Sequence, residues 1–271
     1  VIYAILVEVS VGRMFVAGVV PGLLMGLLLL GVVYVISRGR GYPFGRWGGF
    51  GAVLTAFVAA FAALATPVII LGGILGGVFT VTEAGAIACV WCIAIAVLVY
   101  RQLGWRDLAG ALVTAARGTA AVMLIVGASG LMGWLVADLQ INKQAAELIF
   151  RMTDDPWVFL TVINIFFLIV GMFMDPLAAL IVFVPILMPA ATGLGLDPIH
   201  FGVVIVINLM IGLCTPPVGY LIYLMANVAN EPPQKVIRQS LPFLAVLLIT
   251  LAAVTYLPIL TLGLPRLILG G

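Results

Sequence analysis

Gly212-Leu-Cys-Thr-Pro-Pro-Val-Gly219 lies in the middle of an apolar run that begins near Phe201 and continues past Met225. Pro216 and Pro217 each lack a backbone N–H, so neither completes a helical hydrogen bond to the preceding turn. Pro216 also pushes Thr215 out of helical geometry. A helix entering from Val203 therefore has to open here, at what reads as mid-membrane depth. Carbonyls freed inside a bilayer cannot be left to lipid; they are buried in protein or face water or an ion. A helix broken at that depth is the signature of a transporter binding site.

The composition agrees. The 271 residues are 65% hydrophobic and 8% charged, against roughly half and a quarter in globular domains. The apolar runs are long and continuous and do not alternate with period two. They predict an all-α polytopic membrane protein in a lipid bilayer, not a barrel. A formal net charge of +2, with no basic run and no acidic tail, gives no ground for a nucleic-acid partner. Cys89, Cys92 and Cys214 lie inside apolar segments and read as small packed hydrophobes. The sequence opens at Val1 within an apolar stretch and reads as starting partway through a transmembrane helix.

Outward from the break, the pattern divides into about seven membrane segments and one or two partial ones. The first full span covers residues 14–36 and is closed by Arg38, Arg40 and Arg46, a cytoplasmic marker under the positive-inside rule. Residues 47–65 are helical in period, which fits a helix lying along the interface or packing on a neighbour; the lack of charge on their second face, filled by Ala and Gly, favours burial against protein. Thr66-Pro67 is expected to start a new segment. Gly72, Gly73, Gly76 and Gly77 give two overlapping Gly-x-x-x-Gly spacings, suited to close helix approach. Thr80-Val-Thr-Glu83 fits a capping box ahead of a helix reaching about Tyr100. A further span is expected over residues 118–137. Residues 142–155 are the most polar stretch and read as an exposed short helix and loop. Two apolar helices, 156–174 and 176–191, flank a Met-Asp-Pro turn, and their length fits either two ordinary spans or a re-entrant hairpin. A last span covers residues 241–262.

Two elements build the candidate site, within residues 156–226. One is the Gly171-Met-Phe-Met-Asp-Pro176 turn; the other is Gly212 to Gly219, with Asn208 one helical turn before it. An opened helix supplies carbonyls and Thr215 a hydroxyl, the oxygen donors that a hard cation such as Na⁺ prefers. The C-terminal end of the first half-helix favours a cation, and the N-terminal end of the second favours a carboxylate. A proline kink made only for packing would leave Pro216 and Pro217 with no such role. Asp175 is flanked by apolar segments on both sides, which suits a functional carboxylate or a turn-starting residue at an interface. Glu83 is explained by capping, and Glu8 is placed to pair with Arg13 or to sit at an interface. Asn164 and Asn208 suit interhelical hydrogen bonds, and His200 suits an interface. No nucleophile-and-base constellation, phosphate-binding glycine loop or zinc motif supports an enzyme.

At this point the residues resemble a known family. Gly76-Gly-Val-Phe-Thr-Val-Thr-Glu-Ala84 resembles the Gly-Ile-Phe-Thr-Pro-Thr-Glu-Ala motif of the large membrane subunit of tripartite ATP-independent periplasmic (TRAP) transporters, the DctM-like family. Gly171-Met-Phe-Met-Asp175, Pro185-Ile-Leu-Met-Pro189 and residues 208–219 follow in the family's order, as do Ile2-Tyr-Ala, Glu8-Val-Ser-Val-Gly12 and Pro21-Gly22. Val81 departs from it, standing where the family usually has Pro.

The resemblance implies an elevator-type secondary transporter in the bacterial inner membrane. It would be driven by Na⁺ and import organic acids such as C4-dicarboxylates or sialic acid. Its partners would be a periplasmic substrate-binding protein (DctP-like) and a small membrane subunit (DctQ-like). Carried onto matching positions, one Na⁺ site would involve Gly171, Gly212, Thr215 and Val218, mainly through carbonyls. Asp175, Pro176, Asn208, Pro216, Pro217 and Gly219 would line the substrate side. The resemblance also implies that a first hairpin and first broken helix precede Val1, that this sequence is the C-terminal part, and that it would not transport alone. A divalent anion/sodium symporter working without a binding protein would share the same broken-helix physics. An intramembrane enzyme would need Asp175 and Glu83 as a catalytic pair.

Overall fold

A computed structural model of the chain describes residues 1–41, 48–101, 103–140, 147, 153–217 and 219–270. Among these, six helices are long and apolar enough to cross a membrane, and two shorter apolar helices accompany them. The protein is an all-α polytopic membrane protein. Its Cα framework divides into two units, one of Val1–Gly41 with Val126–Gly271 and one of Tyr42–Ile125.

The second unit contains an antiparallel pair, α3 (Gly49–Leu75) and α4 (Val81–Ala94, extended by a π-helical turn Ile95–Val99). The Trp91 indole donates to the Ala62 carbonyl at 3.2 Å and the Tyr100 hydroxyl to the Ala59 carbonyl at 2.9 Å. Three sequence expectations change here. Helix α3 runs unbroken through Pro67, because a membrane helix can re-satisfy the one carbonyl that a proline frees. The second face, filled by Ala and Gly and expected to be buried, is open, with Ala52, Ala56 and Ala59 exposed. The glycines serve a turn: Gly76 caps α3, Gly77 takes φ +68°, and Gly73 leaves room for the Phe79 ring. Thr80 and Glu83 form the expected capping box. Cys89 and Cys92 are exposed on α4, not packed. The span expected at 118–137 lies within a longer helix, α5 (Trp105–Asp138). Residues 142–152 fall almost wholly outside the described residues.

The first unit holds α1 (Ile2–Leu6), α2 (Val11–Gly39), α6 (Pro156–Phe173), α7 (Pro176–Gly193), α8 (Pro198–Gly212), α9 (Tyr220–Ala229), α10 (Pro233–Tyr256) and α11 (Ile259–Leu269). Three of these start alike. Asp155, Asp175 and Asp197 each cap a helix whose first residue is proline, the carboxylate accepting from Trp157, Leu177 and Ile199 N–H at 2.8 Å. Aspartate satisfies an orphan donor, and proline has no donor to orphan.

Helices α6 and α8 lie side by side and parallel. Phe159 stacks on Phe201 with ring centroids 6.0 Å apart, Asn164 meets Asn208, and Gly171 meets Gly212, in that order along both. Helix α7 turns back along α8: Tyr3 bonds the Pro198 carbonyl at 2.6 Å and approaches the Met188 sulfur at 3.8 Å. Phe183 of α7 packs edge-on against Phe166 and Phe167, centroids 5.0 and 6.1 Å away. The turn between α6 and α7 therefore stops level with the opening of α8. Helices α9 and α10 go on past it. Leu244 and Leu247 of α10 line a pocket with Cys214 in the break, so Pro233 lies roughly 20 Å farther along at helical rise. Glu8 and Arg13 form no ion pair; Ser10 instead caps α2 through the Arg13 N–H.

Candidate functional site

The site forms where the α6–α7 turn meets the opening between α8 and α9. Regular helix ends at Gly212 and resumes at Tyr220, as the two prolines dictate. Within the break, the Cys214 and Thr215 N–H groups bond back to Ile211 and Gly212 carbonyls at 2.9 Å. The Pro216–Pro217 peptide is cis. Gly219 then reverses the chain at φ +36°, ψ +77°, buried, where a Cβ would stand 2.8 Å from the Thr215 carbonyl oxygen. Only glycine fits that position without strain.

Close approach is also what joins the two elements. A Cβ on Gly171 would stand 3.2 Å from both the Gly212 Cα and the Leu209 oxygen, so the two backbones are in direct contact. The site thus brings together Gly171, Gly212 and Thr215, all buried. Gly171 sits in the last turn of α6, where carbonyls run out of intrahelical donors. Thr215 is 7% exposed and its hydroxyl donates to the Ile211 carbonyl at 2.7 Å. With its proton committed there, the oxygen lone pairs are free for another donor or a cation. Val218 lies outside the described residues.

The other predicted residues divide. Pro176 is buried beside the turn, Pro216 half-buried and Pro217 exposed, its carbonyl accepting from the Tyr223 hydroxyl at 3.2 Å. Asp175 is exposed and its carboxylate caps α7, which accounts for it as a turn-starting residue. Asn208 is fully buried, and its amide N–H₂ donates to both the Asn164 carbonyl and the Asn164 side-chain oxygen at 2.8 Å. Asn164 in turn donates to Thr255 at 2.8 Å, and Thr161 bonds Tyr256 at 2.6 Å. Asn208 Oδ1 has no partner among the described residues. His200, expected at an interface, is buried and bonded through Nδ1 to Thr261 at 2.8 Å.

Sequence reasoning missed the far side of this chain of bonds. Thr255 and Tyr256 sit in an apolar helix about 90 residues away. Their one signal was a Thr-Tyr pair interrupting an otherwise apolar segment.

Electrostatically, α8 points its C-terminal, partially negative end into the break. Helix α9 points its N-terminal, partially positive end there, with no side chain capping it. Carbonyls, one hydroxyl and a helix C-terminus suit a hard monovalent cation; the α9 N-terminus, with its Leu221 and Ile222 N–H groups bonded to the Leu213 and Gly219 carbonyls at 3.2 and 2.8 Å, favours an anion through its dipole. Among the described residues, no group of three His, Cys, Asp or Glu could hold a transition metal.

A family model described as "Tripartite ATP-independent periplasmic transporter, DctM component" matches residues 1–260. The chain is 40% identical over 266 residues to a C4-dicarboxylate TRAP transporter large permease protein DctM of Pseudomonas aeruginosa, covering 98% of the chain and 62% of that relative. It is 38% identical to the sialic acid TRAP transporter large permease protein SiaM of Vibrio cholerae, covering 100% and 63%. A 2,3-diketo-L-gulonate TRAP transporter large permease protein of Escherichia coli is 32% identical, with 95% and 61% covered. The chain spans about three fifths of the length of these curated relatives.

Proposed function

Because the chain belongs to the DctM component family of tripartite ATP-independent periplasmic transporters, we propose that it forms part of a large permease subunit importing organic acids, driven by Na⁺, across a bacterial inner membrane. The observation that carries this is the backbone contact of Gly171 with Gly212, beside a helix opened at Thr215-Pro-Pro. It places oxygen donors from two elements at one depth.

In this reading α6 and α7 are a re-entrant hairpin, since their turn stops level with the break while α9 and α10 continue past it. Arg38, Arg40, Lys235 and Arg238 gather where α2 ends and α10 begins. The positive-inside rule makes that end cytoplasmic, so the hairpin enters from the periplasmic side. That is the side on which a soluble binding protein would deliver substrate.

Na⁺ would be held by the Gly171 and Gly212 carbonyls, the Thr215 hydroxyl and the carbonyl of Val218. When bound, it supplies fixed positive charge at the mouth of the break. Around it, this chain's residues do three things. Gly171 and Gly212 hold the turn and the break in register. Thr215 turns its proton away to Ile211 and its lone pairs inward. The partially positive start of α9, whose Leu221 and Ile222 N–H groups bond the Leu213 and Gly219 carbonyls, favours a nearby substrate carboxylate through its dipole. A C4-dicarboxylate or a sialic acid fits that chemistry, and both substrate classes occur in the names of the relatives. A periplasmic binding protein and a small membrane subunit complete the machine.

The test is uptake by the whole permease reconstituted with its small subunit and binding protein. Labelled succinate and sialic acid uptake should rise with an inward Na⁺ gradient and stop without the binding protein. Uptake indifferent to Na⁺ refutes the coupling, and uptake by the permease alone refutes the tripartite assembly.

A further inference from the structure

Helices α9 and α10 enclose a trough that reaches the break at Cys214. Its inner section, about 180 Å³, is walled by Cys214, Leu221, Leu244 and Leu247. Its outer section, about 280 Å³, opens between Ala229 and Lys235. The two sections share Met225, Val236, Ser240 and Phe243, so they are one continuous channel along the pair. Ser240 gives its hydroxyl proton to the Val236 carbonyl at 2.8 Å, which leaves the floor effectively apolar.

The outer end is different. Glu231, Lys235 and Gln239 form its rim. The Arg40 guanidinium reaches across from α2 and donates to the Gln239 side-chain oxygen at 2.6 Å. Arg38, hydrogen-bonded to Tyr34 at 2.9 Å, and Arg238 are exposed at the same end. Among the described residues there, four cations face one carboxylate, Glu231, which Lys235 already holds at 2.6 Å.

We propose that this trough is a binding site for an anionic phospholipid. The phosphate sits at the rim against Arg40, Gln239 and Lys235. One acyl chain lies along Met225, Val236 and Phe243 toward Cys214. An apolar trough facing a bilayer takes an acyl chain of any lipid, and the cationic rim makes the selection. Basic pockets between helices at the cytoplasmic surface recognise anionic headgroups, each cation near the surface strengthening binding about five-fold. The chain end comes to rest beside Cys214, next to Thr215, so an occupied trough stiffens the outer wall of the break. The cytoplasmic position of the rim rests on the orientation proposed above and not on which substrate is carried.

The test uses the whole membrane protein purified in detergent. It is titrated with phosphatidylglycerol and phosphatidylcholine of the same acyl chains, bound lipid is counted by native mass spectrometry, and Tm is followed in parallel. Phosphatidylglycerol is expected to bind roughly twenty-fold more tightly, the effect of two rim cations. Arg40→Gln with Lys235→Gln brings the preference to within about two-fold, and Met225→Trp, which fills the trough, loses both lipids. Equal binding of the two lipids by the unaltered protein overturns the site. So does inorganic phosphate raising Tm as much as phosphatidylglycerol, which assigns the rim to a free anion. Should the double variant not fold, raising ionic strength on the unaltered protein gives the same reading. Screening should erode the preference, and a preference unmoved by salt overturns the proposal.

Discussion

Gly171 and Gly212 press backbone against backbone: a methyl group on Gly212 would stand 2.7 Å from the Gly171 Cα and 2.8 Å from its carbonyl carbon. No flexible side chain is there to give way. Gly212→Ala should therefore force the α6–α7 turn off the break, at about 1–3 kcal/mol. The same methyl on Gly171 meets its nearest atoms at 3.2 Å, so Gly171→Ala should cost less. Thermal unfolding of both variants checks the order. Gly171→Ala proving the worse would contradict the packing described.

Thr215 separates ligation from packing. Thr215→Ser keeps the hydroxyl, its bond to Ile211 and its lone pairs. Thr215→Ala and Thr215→Val remove them. The expectation is that serine retains Na⁺-dependent uptake, whereas alanine and valine shift half-activation to Na⁺ concentrations at least about ten-fold higher, the equivalent of 1.4 kcal/mol. A Na⁺ response unchanged in Thr215→Ala counts against the hydroxyl as a ligand.

Gly219 should tolerate nothing larger. Its φ of +36° and the Thr215 oxygen 2.8 Å from a would-be Cβ act together. Gly219→Ala is expected to cost about 1–3 kcal/mol, from left-handed backbone strain and the clash. Transport should fall with Tm unless α9 re-enters differently. A variant with unchanged Tm and uptake would show the break to be more open than described.

Asn208 and Asn164 are coupled through two 2.8 Å hydrogen bonds. Without a hydrophobic drive between membrane helices, such bonds and close packing hold them together. Asn208→Leu and Asn164→Leu should each destabilise the protein by about 1–3 kcal/mol, since each strands a buried polar partner. The double variant should cost less than their sum, by roughly 0.6–1.7 kcal/mol. A double-mutant cycle on Tm measures this, and strict additivity would mean that the pair does not interact.

Glu83 receives the Thr80 N–H and hydroxyl at 2.8 Å and is exposed. A capping role predicts that Glu83→Gln, which can still close the box, changes stability little. Glu83→Ala should cost about 0.5–2 kcal/mol by analogy with other lost caps. If glutamine abolishes uptake while Tm holds, Glu83 does more than cap.

Much of this was legible in the residues. The Thr215-Pro-Pro break, the Thr80–Glu83 box and the starts at Pro156 and Pro176 are local chemistry, and the structure has each of them. What failed did so for a common reason. Pro67 reads as a boundary from its own properties, but whether a helix tolerates it depends on what surrounds the freed carbonyl. The Gly72–Gly77 cluster reads as a packing face, but Gly76 and Gly77 fall just past the helix end at Leu75. Cys89 and Cys92 read as packed, yet which face of α4 meets α3 is set by Trp91 and Tyr100 reaching back to it.

The sequence by itself determined that the chain is helical, lives in a membrane, and must open at Thr215-Pro-Pro, because apolar length and missing N–H groups are written residue by residue. Only the tertiary structure decided what that opening faces. The parallel register of α6 on α8 matches Phe159 with Phe201, Asn164 with Asn208 and Gly171 with Gly212. It places the Asp175 turn level with the break and leaves its carboxylate as a helix cap. Register is a property of two surfaces meeting, and neither helix carries it alone.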